Sequence, residues 1–225
     1  KNPLGIKNDI TNLSTKDLQK LFKQYITPQE AFFIVVGDLS NINLEHVTHA
    51  HLQAWNGPQV PDLFYPPLPR HTPQLISIPI NRDQVVLGFV APSISRKNPD
   101  FNTMALLDII LSGGASSAPS SRLFQLRERT GLFYTIGGSL LYSSREQPGM
   151  IFIKTIVALD KIEIAKKLIL ETIDDLCQNG VSQDELNMAK NMLFSASIEL
   201  FESNSQIAQT FLFLKKLGLN FNLFD

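Results

Sequence analysis

A cluster of prolines divides this chain more sharply than any other feature of its sequence. Six of the 13 prolines fall between positions 57 and 73. Proline has a fixed φ and no backbone N–H donor, so a segment this rich in proline favours an extended, stiff conformation over helix or interior strand. We therefore predict an interdomain linker here, with one domain in residues 1–65 and a second in residues 66–225.

The first part of the chain predicts a helix, a strand and a second helix. Ser14-x-x-Asp17 resembles a capping box, and apolar residues follow it at helical spacing as far as Tyr25. The apolar run at residues 31–36 is rich in β-branched and aromatic side chains, which predicts a strand buried on both faces. A short helix is predicted at residues 44–55.

The second part predicts the order β-α-α-β-β-α-α, an α+β fold in which helices cover a mainly antiparallel sheet. Strand patterns occupy residues 84–91, 134–142 and 150–158, and the last two predict an antiparallel hairpin. Helices are predicted from Asp100 to the glycines at 113–114, from 121 to 129, from Asp160 to Gly180, and from Ser182 to beyond Phe201. No closing element is recognisable after this last helix.

Charge and hydropathy exclude two classes of partner. The 20 Lys and Arg residues nearly cancel the 21 Asp and Glu residues, so the chain has no broad basic field for nucleic acid. No apolar run approaches the roughly 20 residues needed to span a bilayer. The N-terminus has no initiating methionine and no signal-peptide core, so we expect an internal piece of a longer protein.

The single cysteine, Cys177, excludes an intrachain disulfide and a C-x-x-C redox pair. It falls late in a predicted helix among apolar residues, and we expect it to be a small buried hydrophobe rather than a reactive thiol.

The histidines do not form a recognisable metal motif. His46, His49 and His51 lie close together, but only the first two share a helix face. Neither H-E-x-x-H nor H-x-x-E-H occurs, so no glutamate stands where a metallopeptidase needs its general base. We expect a solvated helix face rather than a metal site, and we expect His71 to be exposed in the linker.

The segment most suggestive of chemistry runs from Ser121 to Tyr134. A predicted helix leads through Gly131 into a strand, which places Arg127 in the last helical turn and Tyr134 at the start of the strand. A turn at the glycine can direct both side chains towards one point. A guanidinium and a phenolic O–H are donors suited to a peptide carbonyl or a developing oxyanion. The alternative is structural: Arg127 covers a helix end and Tyr134 fills the core.

Several motifs in this order resemble the insulinase-like (pitrilysin-type) zinc metallopeptidases. The second part resembles the second, non-zinc domain of that family, and the first part resembles the tail of the preceding, homologous domain. The likeness covers nearly the whole chain. The motifs are Leu13-Ser14-Thr15-Lys16-Asp17-Leu18, Val35-Val36-Gly37-Asp38, Leu111-Ser112-Gly113-Gly114, the run from Ser121 to Tyr134, and Gly180-Val181-Ser182-Gln183-Asp184-Glu185.

This resemblance implies paired α+β domains that form a clam-like chamber around a peptide substrate. Zinc would belong to a complementary domain carrying H-x-x-E-H, on the same chain or on another chain in a homodimer or heterodimer. The resemblance gives Arg127 and Tyr134, seven positions apart, the role of gripping the substrate backbone and supporting the tetrahedral intermediate. The segment contains no catalytic residue and no metal ligand of its own under this interpretation, and by itself it is predicted to be inactive.

One departure from the family pattern is the loop at residues 115–120, which is longer than the compact turn usual before Ser-Arg-Leu. It is a candidate to narrow the chamber or to lie over its mouth.

Two other functions stay open at this point. The chain is alternatively a proteolytically inactive member of the family that serves as a structural scaffold for assembly, or an unrelated α+β interaction module. Retention of both Arg127 and Tyr134 favours the substrate-binding function.

Overall fold

The structure, a computed structural model, describes residues 4–29, 31–61, 66, 72–114 and 118–221. The chain divides into two compact units, Lys1–Leu68 and Pro69–Asp225. The described residues form eight α-helices and one three-stranded antiparallel sheet, which confirms the predicted α+β class. The first unit contains α1 (Lys7–Asn12), α2 (Thr15–Tyr25) and α3 (Leu44–Leu52). The second contains β1 (Gln84–Pro92), α4 (Phe101–Ser112), α5 (Arg122–Thr130), β2 (Thr135–Tyr142), β3 (Met150–Ala158), α6 (Ile162–Asn179), α7 (Gln183–Glu199) and α8 (Asn204–Leu217).

The predicted capping box begins α2. The Ser14 hydroxyl accepts from the backbone N–H of Asp17, and the Asp17 carboxylate accepts from the Ser14 N–H at 2.9 Å. These hydrogen bonds satisfy donors that the first helical turn leaves free. The Ser14 hydroxyl, which also donates to the Asp17 carboxylate at 2.6 Å, lowers the pKa of Asp17, and the Ser14 N–H adds to this effect.

The prediction of a strand at residues 31–36 is wrong. These residues pair with no strand in the described part of the chain, and Phe33 is 66% exposed. An apolar run shows that a segment favours burial, but a strand also needs a neighbour to accept its backbone hydrogen bonds.

The sheet of the second unit has the order β1-β3-β2, with both neighbouring pairs antiparallel. Gln84 at the start of β1 lies opposite Ala158 at the end of β3, and Thr135 at the start of β2 lies opposite Ile156. This confirms the predicted hairpin of β2 and β3. Because β1 and β2 flank β3, the starts of both outer strands meet the end of the central one.

The core lies between one face of this sheet and the helices. Successive strand residues point to opposite faces, and Ile153 and Val157 of β3 are both buried on the helix side. Burying an apolar side chain of this size contributes about 1.5–3 kcal/mol, so a small set of residues anchors the fold. The buried cluster consists of Leu111, Leu123, Leu126, Phe133, Leu140, Ile153, Val157, Ala165 and Ile169.

Several predicted helix ends need correction. Asp100 stands at the N-cap of α4, but its side chain makes no capping hydrogen bond. The predicted opening of α6 at Asp160 is wrong, because residues Leu159–Lys161 form a 3₁₀ turn and the α-helix begins at Ile162. The helix after Ser182 ends at Glu199, short of Phe201, and α8, which the sequence pattern did not indicate, follows it.

The expectation of a buried Cys177 is also wrong, because this thiol is exposed on α6. Of the residues beside it, only Leu176 is apolar, and Asp174, Asp175 and Gln178 share the exposed side of the helix with it. Within the described residues, no helix has both the length and the apolar character that crossing a membrane requires.

Two adjacent glycines of β2 give a matched test of packing in the sheet. A Cβ at Gly138 would overlap the carbonyl oxygen of Phe152 on β3, whereas a Cβ at Gly137 would meet nothing within 4 Å. We expect Gly138→Ala to lower the free energy of unfolding by about 1–3 kcal/mol, since backbone must move to accept the methyl group. Gly137→Ala should change it by less than about 0.5 kcal/mol. Urea unfolding of the two variants measures both values, and equal losses would contradict the close approach at Gly138.

Candidate functional site

The site is organised by α5 and the turn that follows it. Ser121 caps the helix by accepting from the backbone N–H of Phe124 at 3.4 Å, and Leu123 is buried in the core. The helix ends at Gly131, whose φ of 60° lies in the left-handed region that favours glycine. The Gly131 N–H donates to the carbonyl oxygen of Arg127 at 2.9 Å, so the turn folds back on the last helical turn.

This turn brings Arg127 and Tyr134 to the same cavity. The cavity is open to solvent and has a volume of about 620 Å³. Both side chains line it, one from α5 and the other from the residue before β2. Among the described residues, those that line it are Gln84, Arg127, Gly131, Leu132, Phe133, Tyr134, Thr135, Val157 and Ala158.

Arg127 is held only by weak contacts at the surface. Its side chain is 41% exposed, and one guanidinium nitrogen lies 3.6 Å from a carboxylate oxygen of Glu128. The guanidinium carbon lies 5.8 Å from the centre of the Phe124 ring. Exposed ion pairs of this kind contribute little to stability, so the guanidinium can exchange them for a ligand at small cost.

Tyr134 has a fixed backbone and a free side chain. Its N–H donates to the carbonyl oxygen of Ile156 at 3.0 Å, which extends the pairing of β2 with β3 by one residue. Its side chain is 69% exposed, and within the described residues its hydroxyl has no hydrogen-bond partner. Among the described residues Tyr134 does not fill the core of the second unit; its neighbour Phe133 is the buried residue.

The cavity combines an apolar floor with polar groups around it. Phe133 and Val157 are almost wholly buried, at 4% and 2% exposure. Among the described residues that line the cavity, Arg127 is the only charged one. This arrangement can hold an apolar group against the floor while it offers donors to a carbonyl oxygen or an anionic oxygen nearby.

Sequence reasoning missed the ion-pair network that supports α5. The Arg122 guanidinium donates to both carboxylate oxygens of Glu185, at 2.7 and 3.1 Å, to Asp175 at 2.9 Å, and to the carbonyl oxygen of Gly180 at 2.8 Å. These bonds join the start of α5 to the connection between α6 and α7. Hydrogen bonding to Glu185 raises the pKa of Arg122, and the same bonds, with help from the Ser182 cap, lower the pKa of Glu185 to about 2.

The signal for this network was present but divided between two distant motifs. Arg122 belongs to the Ser-Arg-Leu motif and Glu185 to the capping box of α7, 63 residues later. Each motif has a local explanation, and nothing in either predicts that they meet.

The three histidines of the first unit are exposed on or beside one helix, as predicted. His46, His49 and His51 all lie on α3 with exposed side chains, whereas His71 lies outside the described residues. Within the described part of the chain, no three His, Cys, Asp or Glu residues gather as a metal site.

The long loop before α5 is described only in part. Residues 115–117 lie outside the described residues. Ala118 is buried, and the carbonyl oxygen of Pro119 accepts from the Gln125 side chain at 2.9 Å, so this end of the loop packs against α5. Its predicted effect on the chamber stays a prediction.

Comparison with family models supports the resemblance seen in the motifs. A model described as the peptidase M16 inactive domain matches residues 12–193. Among curated proteins, the chain is 23% identical over 215 residues to the zinc protease PqqE of Helicobacter pylori, covering 93% of this chain and 47% of that protein. It is 25% identical over 214 residues to the uncharacterized zinc protease YmxG of Bacillus subtilis, covering 92% of this chain and 49% of that protein. The chain thus spans about half the length of the curated relatives it matches.

Solved structures show the same fold. A protease from Helicobacter pylori aligns over 96% of this chain and 52% of its own, with a TM-score of 0.72 and 21% identity. A peptidase M16 inactive domain from Pseudomonas fluorescens aligns over 64% of this chain and 32% of its own, with a TM-score of 0.56 and 24% identity.

Proposed function

Because the chain belongs to the family of peptidase M16 inactive domains, we propose that it is the substrate-binding, non-zinc-ligating portion of a zinc endopeptidase. In this proposal a complementary domain with H-x-x-E-H, on the same chain or another, carries the zinc ion and completes an enclosed chamber for peptides. The observation that carries the proposal is the open cavity that Arg127 and Tyr134 both line, since Tyr134 is 69% exposed and the Arg127 side chain is 41% exposed.

The proposed chemistry follows from the two donors. The Arg127 guanidinium and the Tyr134 hydroxyl would donate to carbonyl oxygens of a bound peptide and to the oxygen on which negative charge develops. Their backbones are fixed by the Gly131 turn and by pairing with β3, so little reorganisation is needed when the charge appears. Among the described residues that line the cavity no other is charged, and the one nearby carboxylate, Glu128, lies 3.6 Å from the guanidinium at the surface.

The alternative is a proteolytically inactive homologue that serves in assembly. It is favoured by Phe194 and Ile198, which are spaced four residues apart on α7 and are 64% and 52% exposed. An apolar pair of this kind suits contact with a partner chain. A peptidase half must also contact its catalytic partner, however, whereas a scaffold has no use for Arg127 and Tyr134 in an open cavity.

Reconstitution separates these functions. We expect no hydrolysis from this chain alone, and hydrolysis of a mixed peptide pool when it is combined with its H-x-x-E-H domain and zinc. Mass spectrometry of the peptides measures hydrolysis by the chain alone and by the combined domains. The control is a catalytic domain whose motif glutamate is replaced by glutamine, which should bind this chain but cleave nothing. A complex that forms and remains inactive with zinc would support the assembly function instead.

A further inference from the structure

Two further polar side chains, Gln84 and Thr135, line the cavity of Arg127 and Tyr134, and Gln84 is the one that comes from another strand. We propose that Gln84 is a positioning residue that hydrogen-bonds the backbone of an extended peptide at a point away from the cleaved bond. This inference rests on the proposed function and adds a residue and a substrate shape to it.

The sheet places Gln84 and Tyr134 on opposite sides of β3. Gln84 begins β1 and lies opposite Ala158, whereas Tyr134 precedes β2 and its N–H is bonded to Ile156. Neighbouring strands lie about 4.8 Å apart, so the backbones of Gln84 and Tyr134 are separated by about 10 Å across the end of the sheet. An extended peptide rises about 3.4 Å per residue, and this separation corresponds to about three residues of substrate.

The carboxamide of Gln84 can hydrogen-bond a peptide group, and it adds no charge near Arg127. Its carboxamide offers one acceptor oxygen and two donor hydrogens, which match the N–H and C=O of a backbone amide. It is also uncharged, so it leaves the Arg127 guanidinium free. A carboxylate in this cavity would instead pair with that guanidinium.

The apolar residues that line the cavity determine which substrate side chain fits there. Phe133 and Val157 are buried beneath the cavity, and Ala158 adds only a methyl group. A small apolar substrate side chain would pack against Leu132 and Ala158, the more accessible apolar residues of the lining, while the polar groups of the cavity hold the backbone.

The kinetic signature of Gln84 differs from that of Arg127. A contact about three residues from the reacting carbonyl is the same in the bound substrate and in the transition state, so its loss raises KM and leaves kcat unchanged. A single neutral hydrogen bond corresponds to a rise in KM of roughly 3- to 10-fold.

The test uses the reconstituted complex with zinc and a quenched-fluorescent peptide of about ten residues, chosen as the fastest-cleaved member of the pool. We expect Gln84→Ala to raise KM within this range with kcat unchanged, and Gln84→Asn to recover part of the loss. The matched control is Gln147→Ala, since Gln147 is exposed in the loop between β2 and β3 and should leave both constants unchanged.

Two results overturn the inference, and a third separates it from the proposed function. An unchanged KM in Gln84→Ala, beside a large loss of kcat in Arg127→Ala, removes Gln84 and leaves the proposed function standing. A fall in thermal stability that parallels the kinetic loss assigns Gln84 a structural role instead. Unchanged kinetics in both Gln84→Ala and Arg127→Ala overturn the proposed function itself and, with it, this inference.

Discussion

Replacing Arg127 with alanine is expected to lower kcat of the reconstituted peptidase by roughly 10²-fold or more, as the loss of an oxyanion donor does in other hydrolases. Among the described residues that line the cavity, the guanidinium is the only charged group, so no second cation there replaces it. In the described part of the chain, the guanidinium contacts Glu128 at 3.6 Å and lies 5.8 Å from the centre of the Phe124 ring. Both contacts are weak, so the free energy of unfolding should change little. The expected result is therefore a loss of turnover with an almost unchanged unfolding midpoint.

The control for this prediction lies two residues further along the same helix. Arg129 is exposed and lines a different cavity, so Arg129→Ala removes the same charge from α5 and should leave kcat within about twofold. Arg127→Lys keeps the charge but not the planar fork, and should recover only part of the rate. Tyr134→Phe removes one donor and should lower kcat by roughly 10-fold. Unchanged turnover in Arg127→Ala and Tyr134→Phe would exclude a role in catalysis and favour assembly.

The sequence predicted the elements whose causes are local. The capping boxes at Ser14 and Ser182, the turn at Gly131 and the strand at Met150–Ala158 all depend on residues a few positions apart, and the structure has each of them. The shared cavity of Arg127 and Tyr134 followed from the same local geometry, since seven residues and one glycine turn separate the two side chains.

The features that sequence reasoning missed depend on distant neighbours. The run at residues 31–36 has the composition of a buried strand, but within the described residues no partner strand pairs with it. The break between α7 and α8 follows no proline, and the pattern there favours a continuous helix. Gln84 lines the cavity because β1 pairs with β3, and this pairing places Gln84 opposite Ala158, more than 70 positions later in the chain.

Replacing Arg122 with alanine is expected to destabilise the second unit by about 3 kcal/mol, the largest stability loss that we predict for a single side chain. The variant leaves Glu185, Asp175 and the carbonyl oxygen of Gly180 without their shared donor. Both Arg122 and Glu185 are largely buried, with 16% and 26% of their side chains exposed, so water replaces these bonds only in part. Arg122→Lys keeps the charge but cannot reach all three acceptors, and should recover less than half of the loss.

The same network gives stability a pH dependence with a definite sign. The pKa of Glu185 falls from 4.5 to about 2 on folding, so its contribution is fully present above pH 4.5 and disappears as the pH falls through about 2. A shift of this size corresponds to about 2–3 kcal/mol after allowance for partial exposure. Glu185→Gln removes the charge and should flatten this part of the profile, whereas Arg129→Ala should leave it as in the wild type. Urea unfolding between pH 2 and pH 7 measures the difference, and parallel profiles for Glu185→Gln and the wild type would show that the ion pair does not hold α5 to the connection between α6 and α7.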